Sequence, residues 1–516
     1  MTEVGIVGAG PGGLAAGILL ANKGIDVTIH ERMDRVGGRN SYLEKGGYKF
    51  DIGPTFFMMP FILEEIFAAA GRNLHDYVEL EMMDPYYKLW FADGNSMEPS
   101  FHRDKVKESI AEMNPEDAAG YDRYMQDNEK KMRYTLPVLQ RPYNSFGDLL
   151  NKDIFRLIKV LNPQRSLWDD LGRYFDDDRI KVGFTFQSKY LGMSPFNCPS
   201  MFSILPYTEY KWGVYHVMGG LNQLSAAMAD LFKELGGRII LESEVEEIKI
   251  DGQKATGLII DDELHKYDEI VLNADFSWAM QNLIPNEKRR KYSDSRLDKK
   301  NYSCSTFMLY LGLDESYDHL KHHNVFIAED YEKNFLEIES DKVLSNDPSF
   351  YLQNPTVTDQ SLAPQGHSAI YLLVPTANLK SKIDWSQEAE SFKEQMLDLL
   401  EKRAGITEIR NHIKVEKMIT PEDWNSQMNV GFGATFNLGH NLRQMLIFRP
   451  HNDFEEFENI WLVGGGTNPG SGLPTIYESG RITANLVAKK HGLSYSFDHL
   501  DTLEQKFKED VYQHLV

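Results

Sequence analysis

The pattern that most constrains the fold of this chain lies within its first thirty-one residues. An apolar run at residues 4–7 leads into Gly8-Ala9-Gly10-Pro11-Gly12-Gly13. A helical segment at residues 14–22 follows, and a second apolar run at residues 25–30 ends at Glu31. Strand, glycine-rich turn, helix and strand in this order form a βαβ unit. We therefore predict an α/β, Rossmann-like fold that binds a dinucleotide.

The glycines of this turn and the acid that follows have separate physical roles. Gly8 permits the tight turn, Gly10 lets a pyrophosphate approach the backbone, and Gly13 allows the helix to pack closely on the strand. The helix N-terminus presents partial positive charge to the phosphates. Glu31 can accept hydrogen bonds from both ribose hydroxyls and would repel a 2′-phosphate. These four residues are candidate cofactor contacts.

A second glycine motif distinguishes between nucleotide cofactors. Asp34-Arg35-Val36-Gly37-Gly38-Arg39 follows directly after the βαβ unit. A nicotinamide enzyme does not need it, whereas flavoproteins of the amine oxidase and phytoene desaturase group carry such a segment. This resemblance implies FAD, with Arg32, Gly38 and Arg39 among its contacts. The alternative is a plain solvated loop.

The middle and the end of the chain return to the same pattern. Gly219-Gly220 leads into a predicted helix, and strands at 238–241, 245–250, 257–260 and 270–275 form a β-meander and a buried strand. A strand at 460–463 then feeds a glycine-rich loop at 464–474 and a helix at 475–489. Such a loop suits the flavin pyrophosphate or the N1/C2 edge of the flavin ring. The further candidate contacts are Val245, Gly465, Gly466, Gly472, Leu473 and Pro474.

These segments predict a discontinuous FAD-binding domain made of residues 1–70, 211–288 and 450–492. Residues 71–210 and 289–449 would form an interleaved α+β substrate-binding domain, with a helical tail at 493–516. The substrate blocks are rich in Tyr, Phe, Met and Leu, which is more typical of a core than of a ligand cage. Their composition still permits an apolar tunnel.

Composition excludes several classes of function. With 55 Lys and Arg against 77 Asp and Glu, the net charge is -22, so we expect no nucleic-acid partner. The two cysteines, Cys198 and Cys304, exclude a disulfide framework and fit a reducing cytoplasm. We interpret the pair His322-His323 as exposed loop histidines and predict no metal site.

Membrane association is expected to be peripheral. The apolar stretch at 4–21 is interrupted by glycines, and no other stretch is long enough to cross a bilayer. A possible C-terminal helix carries an apolar stripe of Leu500, Leu503, Phe507, Val511 and Leu515. This stripe either packs on the protein's own core or, like an apolar patch on the substrate domain, lies in the membrane interface.

Together these motifs resemble bacterial-type phytoene desaturases over nearly the whole chain. The segments that carry the resemblance are 8–13, 50–55, 212–215 with 219–220, 273–275, 361–366, 448–452 and 464–474. Residues 301–305 and Met58-Met59 look most similar to the C30 branch, the 4,4′-diapophytoene (dehydrosqualene) desaturases. One departure is Asn468, which stands where the family usually has a histidine. Asparagine also occurs there in carotenoid oxygenases of the same fold.

The resemblance implies FAD-dependent desaturation of a polyisoprenoid such as 4,4′-diapophytoene or phytoene, by hydride transfer to flavin N5 and loss of a proton. The FAD would be non-covalent because neither cysteine lies near the C-terminal glycine loop. Quinone or dioxygen would accept the electrons. The alternatives are oxidation of terminal methyl groups by an oxygenase and a non-catalytic prenyl-binding escort protein. No catalytic base is identified from the sequence.

Overall fold

The computed structural model describes residues 2–161, 164–493 and 507. Its central sheet has five parallel strands from three distant parts of the chain. In spatial order they are Ile460–Leu462, Glu269–Leu272, Glu3–Val7, Asp26–His30 and Arg238–Ile240. Because the carboxyl ends of parallel strands share one edge, both glycine-rich loops meet there. The predicted fold class is confirmed.

Three helices cover this sheet, at Pro11–Ala21, Asn222–Glu234 and Leu473–Lys490. Two of them begin two or three residues earlier than the sequence pattern indicates. In both, a proline occupies the first turn, where its fixed φ suits a helix and its missing N–H costs nothing. Each helix therefore begins within its glycine-rich segment and points its N-terminus at the preceding glycines.

The predicted β-meander is present as an antiparallel sheet of three strands, Glu247–Asp251, Lys254–Ile260 and Glu263–His265. Gly252 supplies the positive φ of 61° that the first hairpin turn requires. Two further ribbons pair Tyr42–Lys45 with Tyr48–Asp51, and Leu80–Met82 with Tyr215–Val217. The second ribbon joins segments more than 130 residues apart along the chain.

A larger sheet of seven strands stands beside the central one. Its order is Ile413–Ile419, Ser305–Leu313, Ser368–Thr376, Phe350–Gln353, His323–Phe326, Lys88–Trp90 and Ser96–Met97. Neighbouring strands are antiparallel except His323–Phe326 and Lys88–Trp90. The other α-helices of the described residues are Phe61–Ala69, Arg103–Met113, Ala118–Leu139, Lys152–Val160, Leu167–Leu171, Asp178–Gly183, Ile204–Trp212, Phe276–Leu283, Asp294–Leu297, Tyr331–Leu336, Trp385–Ala404, Ile409–His412 and Pro421–Ser426.

The interpretation of His322 and His323 as exposed loop residues is wrong. Both are buried, and His323 begins a central strand of the large sheet. The Nδ1 atom of His322 is bonded to the Thr358 hydroxyl at 2.9 Å, and that of His323 to the Tyr351 hydroxyl at 2.7 Å. Partners about 30 residues away satisfy these rings, so the local pattern carried no sign of burial.

The predicted C-terminal helix lies outside the described residues, apart from Phe507. That side chain is buried, with its ring 5.5 Å from Trp212 and the Arg133 guanidinium 4.3 Å from its centroid. Within the described ranges, no helix is both long enough and apolar enough to cross a bilayer.

Candidate functional site

A cavity of about 430 Å³ opens at the carboxyl edge of the central sheet, within the usual size range of ligand sites. Every predicted cofactor contact except Gly13 lines it: Gly8, Gly10, Glu31, Arg32, Gly38, Arg39, Val245, Gly465, Gly466, Gly472, Leu473 and Pro474. Residues more than 450 positions apart along the chain therefore face one space.

Gly13 acts behind the cavity wall. A Cβ built on it would lie 2.4 Å from the carbonyl oxygen of Gly8 and 2.8 Å from Nδ2 of Asn273. Asn273 follows the neighbouring strand, and its Nδ2 donates to the Gly8 carbonyl at 2.9 Å. The glycine thus allows the close packing of helix on turn that its position predicts, and the Asn273 amide fixes the shape of the turn.

Glu31 is buried at the end of its strand and binds the same turn. Its two carboxylate oxygens accept N–H groups from Ala9 at 2.8 Å and Met33 at 2.9 Å. Burial raises the pKa of this carboxyl, and the backbone N–H groups oppose that shift. A carboxylate has about four acceptor positions, so Glu31 can still accept a hydrogen bond from a ligand in the cavity.

The second glycine motif is not a solvated loop. Gly37 and Gly38 have positive φ values of 110° and 53°, and a Cβ on Gly38 would lie 3.8 Å from the Gly10 α-carbon. The Arg39 guanidinium donates to the Thr435 carbonyl at 3.0 Å and lies 3.5 Å from the Asp275 carboxylate. Burial raises the pKa of Asp275, and the charge of Arg39 opposes that shift.

The C-terminal glycine loop is held from behind by Arg449. This fully buried guanidinium donates to the carbonyl oxygens of Thr467, at 2.9 Å, and Gly465. Asn468 is also buried, and its Nδ2 donates to the Leu446 carbonyl at 3.1 Å. Asn468 does not line the cavity. Asn468, the residue that motivated the oxygenase alternative, therefore supports the loop from outside the cavity wall.

A second part of the cavity wall is apolar. It is formed by Phe56, Met58, Phe186, Met308, Val325, Phe350, Leu373, Pro375, Trp424, Met428 and Val430. Most of these residues come from the large sheet and its flanking loops, in the predicted substrate blocks. One charged side chain, Lys189, stands among them. Sequence reasoning missed Lys189 because no motif surrounds it.

The residues present fit a flavin dinucleotide. Gly10, Gly38 and Gly472 face the space at positions where a side chain would fill it. Two helix N-termini, at Pro11 and Leu473, meet at the same space and favour anionic phosphate. Neither Cys198 nor Cys304 lines the cavity.

Comparison with known proteins gives one family match and several relatives. The profile of the family described as "Flavin containing amine oxidoreductase" matches residues 11–488. A 4,4′-diapophytoene desaturase (4,4′-diapolycopene-forming) of Methylomonas sp is 44% identical over 95% of this chain and 96% of its own length. An all-trans-zeta-carotene desaturase of Myxococcus xanthus is 37% identical over 94% of this chain and 93% of its own.

Solved structures share the fold at much lower identity. An oxidoreductase from Methanosarcina mazei superposes with a TM-score of 0.60 at 16% identity, covering 93% of this chain and 99% of its own. Cyclohexylamine oxidase from Brevibacterium oxydans gives a TM-score of 0.55 at 15% identity, covering 95% and 99%. At such identities the likeness concerns the fold alone.

Proposed function

Because the chain belongs to the flavin containing amine oxidoreductase family, we propose that it binds FAD without a covalent bond and desaturates a long polyisoprenoid in the cavity. The observation that carries this proposal is the shared space, in which two glycine loops and a wall of apolar side chains face each other. The chain's relatives support the substrate class, since they are named as desaturases of 4,4′-diapophytoene and of all-trans-zeta-carotene.

Each group of residues has a distinct task in this function. Gly8, Gly10 and the helix starting at Pro11 would hold the pyrophosphate, and Glu31 would hold the ribose hydroxyls. Gly465, Gly466 and Gly472 would lie along the flavin. Oxidised flavin supplies a hydride acceptor, which no side chain can provide. The absence of both cysteines from the cavity wall supports non-covalent attachment.

The apolar wall binds the polyene and excludes water. Burial of methyl and methylene groups contributes about 25 cal/mol per Å² of apolar surface, so a chain of isoprene units can be bound without polar contacts. Aromatic faces such as those of Phe56 and Trp424 favour an electron-deficient allylic carbon. Electrons would leave to quinone or dioxygen.

An exposed apolar patch suggests how a lipid-soluble substrate reaches the protein. Phe155 and Ile158 on helix Lys152–Val160 are 53% and 56% exposed, while Ile154 and Leu157 of the same helix are buried. Phe146 and Phe448, with ring centroids 6.3 Å apart, are exposed as well, and Ile447, next to Phe448, is buried in one cluster with Ile154 and Leu157. Lys152, Arg156 and Lys159 of the helix are exposed cations, of which Arg156 lies 3.7 Å from the Asp153 carboxylate. Exposed apolar residues beside exposed cations fit the interface of an anionic membrane. We propose this surface as the peripheral attachment to the cytoplasmic face.

The product made from each precursor tests the desaturase function. The purified holoprotein, supplied with liposomes that contain either 4,4′-diapophytoene or phytoene, should convert one of them to a product with a longer conjugated chromophore. Absorption spectra and chromatography of the extracted lipid measure this conversion. Oxygen-containing products would favour the oxygenase alternative, and binding of the precursor without conversion would favour the escort.

A further inference from the structure

Lys189 is the charged side chain within the apolar part of the cavity wall. It belongs to a 3-10 turn, Phe186–Leu191, and lines the cavity together with Phe186. Its Nζ lies 5.5 Å from the ring centroid of Tyr331 and 5.1 Å from that of Phe335. The inference drawn from it rests on the proposed function.

Lys189 is partly buried and differs from Lys131, which is fully buried. The Nζ of Lys131 is 2.9 Å from the Asp170 carboxylate and 2.8 Å from the Ser203 hydroxyl, so its charge is compensated. Lys189 has neither a hydrogen bond nor an ion pair to any residue in the described ranges. A desolvated ammonium without a counter-ion is costly, and the neutral amine is correspondingly favoured. Burial lowers the pKa of Lys189 to about 7.

The titratable groups around Lys189 do not provide a counter-ion that would stabilise its ammonium form. Burial raises the pKa of the Cys304 thiol to about 12 and raises that of the Tyr331 phenol, so both are neutral at pH 7. The Glu339 carboxylate, whose pKa burial also raises, accepts hydrogen bonds from the Ser194 N–H and from the amide of Asn197. Near pH 7 a large fraction of Lys189 is therefore the free amine.

The turn that carries Lys189 is also tied to the glycine-loop side of the cavity. The Gly192 carbonyl accepts the Cys304 N–H at 3.3 Å, and the adjacent Ser303 hydroxyl accepts the Phe436 N–H at 3.1 Å. The Ser471 hydroxyl of the C-terminal glycine loop donates to the Phe436 carbonyl at 2.6 Å. These contacts hold the lysine segment against the loop assigned to the flavin.

We propose that Lys189 is the general base of the desaturation. As the double bond forms, one C–H bond of the polyisoprenoid breaks, its electron pair becomes the new π bond, and the proton moves to the Lys189 amine. The neighbouring carbon loses its hydrogen as a hydride equivalent, for which oxidised flavin would be the acceptor. The faces of Tyr331 and Phe335 then stabilise the ammonium that results.

The pH dependence of the holoenzyme tests this proposal. In the wild type, kcat should rise with pH through about 7 and then level off, because only the neutral amine accepts a proton. Lys189→Met should lower kcat by about 10²-fold or more and abolish the inflection. Lys189→Arg should not rescue it, since arginine stays protonated. Lys189→Gln provides a second neutral variant should the methionine variant fail to fold.

A matched control and a second readout separate the role of Lys189 from general damage. Lys181 also lies over an aromatic ring, that of Trp168 at 4.7 Å, but outside the cavity wall, so Lys181→Met should keep both kcat and its pH profile. After reductive methylation with ¹³C-formaldehyde, one lysine resonance, in addition to that of the N-terminal amine, should titrate near pH 7 and be missing in Lys189→Met. This measurement needs no turnover.

The outcomes distinguish failure of the proposal that Lys189 is the base from failure of the proposed desaturase function. Wild-type protein that converts no precursor refutes the proposed function. An active wild type together with a Lys189→Met or Lys189→Gln variant that keeps its kcat and pH inflection refutes the base. A lysine resonance that is absent near pH 7 in the wild type refutes it as well.

Discussion

Replacing either of two glycines of the first turn by alanine should have a different effect: Gly13→Ala should lower the stability of the fold, and Gly10→Ala should weaken FAD binding. A Cβ at Gly13 would lie 2.4 Å from the Gly8 carbonyl, about 1 Å inside ordinary van der Waals contact. Overpacking of this kind costs about 1–3 kcal/mol, and the higher helix propensity of alanine offsets at most about 1 kcal/mol of it. Gly13→Ala should therefore lower the free energy of unfolding by about 1–2 kcal/mol.

Gly10→Ala is the matched comparison. Gly10 has an ordinary φ of -73°, and its Cβ would meet only Nδ2 of Asn273, at 3.1 Å, while projecting towards the cavity. We expect a change of less than about 1 kcal/mol in unfolding free energy. FAD affinity should fall at least tenfold, because the methyl group keeps the pyrophosphate from the backbone.

Urea unfolding of the flavin-free proteins measures the free energy of unfolding, and titration with FAD measures the FAD affinity separately. If Gly13→Ala is as stable as the wild type, the close packing of helix on turn is not a constraint. If Gly10→Ala binds FAD with unchanged affinity, the pyrophosphate does not approach the backbone there, and the assignment of the first glycine loop is refuted.

Three further predictions concern the cofactor and the membrane. Glu31→Ala should raise the Kd for FAD roughly tenfold or more, since hydrogen bonds to a charged group contribute about 1.5–3 kcal/mol; an unchanged Kd in a fluorescence titration would show that Glu31 is not the ribose ligand. Acid precipitation should leave a yellow supernatant and a colourless pellet, and flavin retained in the pellet would contradict non-covalent binding. In flotation with anionic liposomes, the double variant Phe155→Ser/Ile158→Ser should lose the liposome binding that the wild type keeps. The control Leu264→Ser, at a similarly exposed leucine outside the patch, should float like the wild type. Equal flotation of all three proteins would exclude this surface as the membrane attachment.

The sequence by itself determined the dinucleotide fold and much of its glycine framework. Gly8, Gly13 and Glu31 belong to a βαβ unit whose interactions are local, so their spacing predicts their positions. Proline in the first turn could also have indicated that the helices begin at Pro11 and Leu473. Helix starts differed by two or three residues from the prediction because apolar periodicity marks the middle of a helix better than its ends.

Only the tertiary structure decided which polar residues are buried and what faces the cavity. His323 is buried because a strand from another part of the chain supplies Tyr351 as its partner. Asn468 does not line the cavity, and its side chain instead donates to the Leu446 carbonyl. Lys189 stands in an apolar wall because the helix Tyr331–Leu336, over 140 residues away along the chain, packs against its turn. Such environments depend on contacts between distant segments of the chain. The residues next to each position in the sequence do not indicate these contacts.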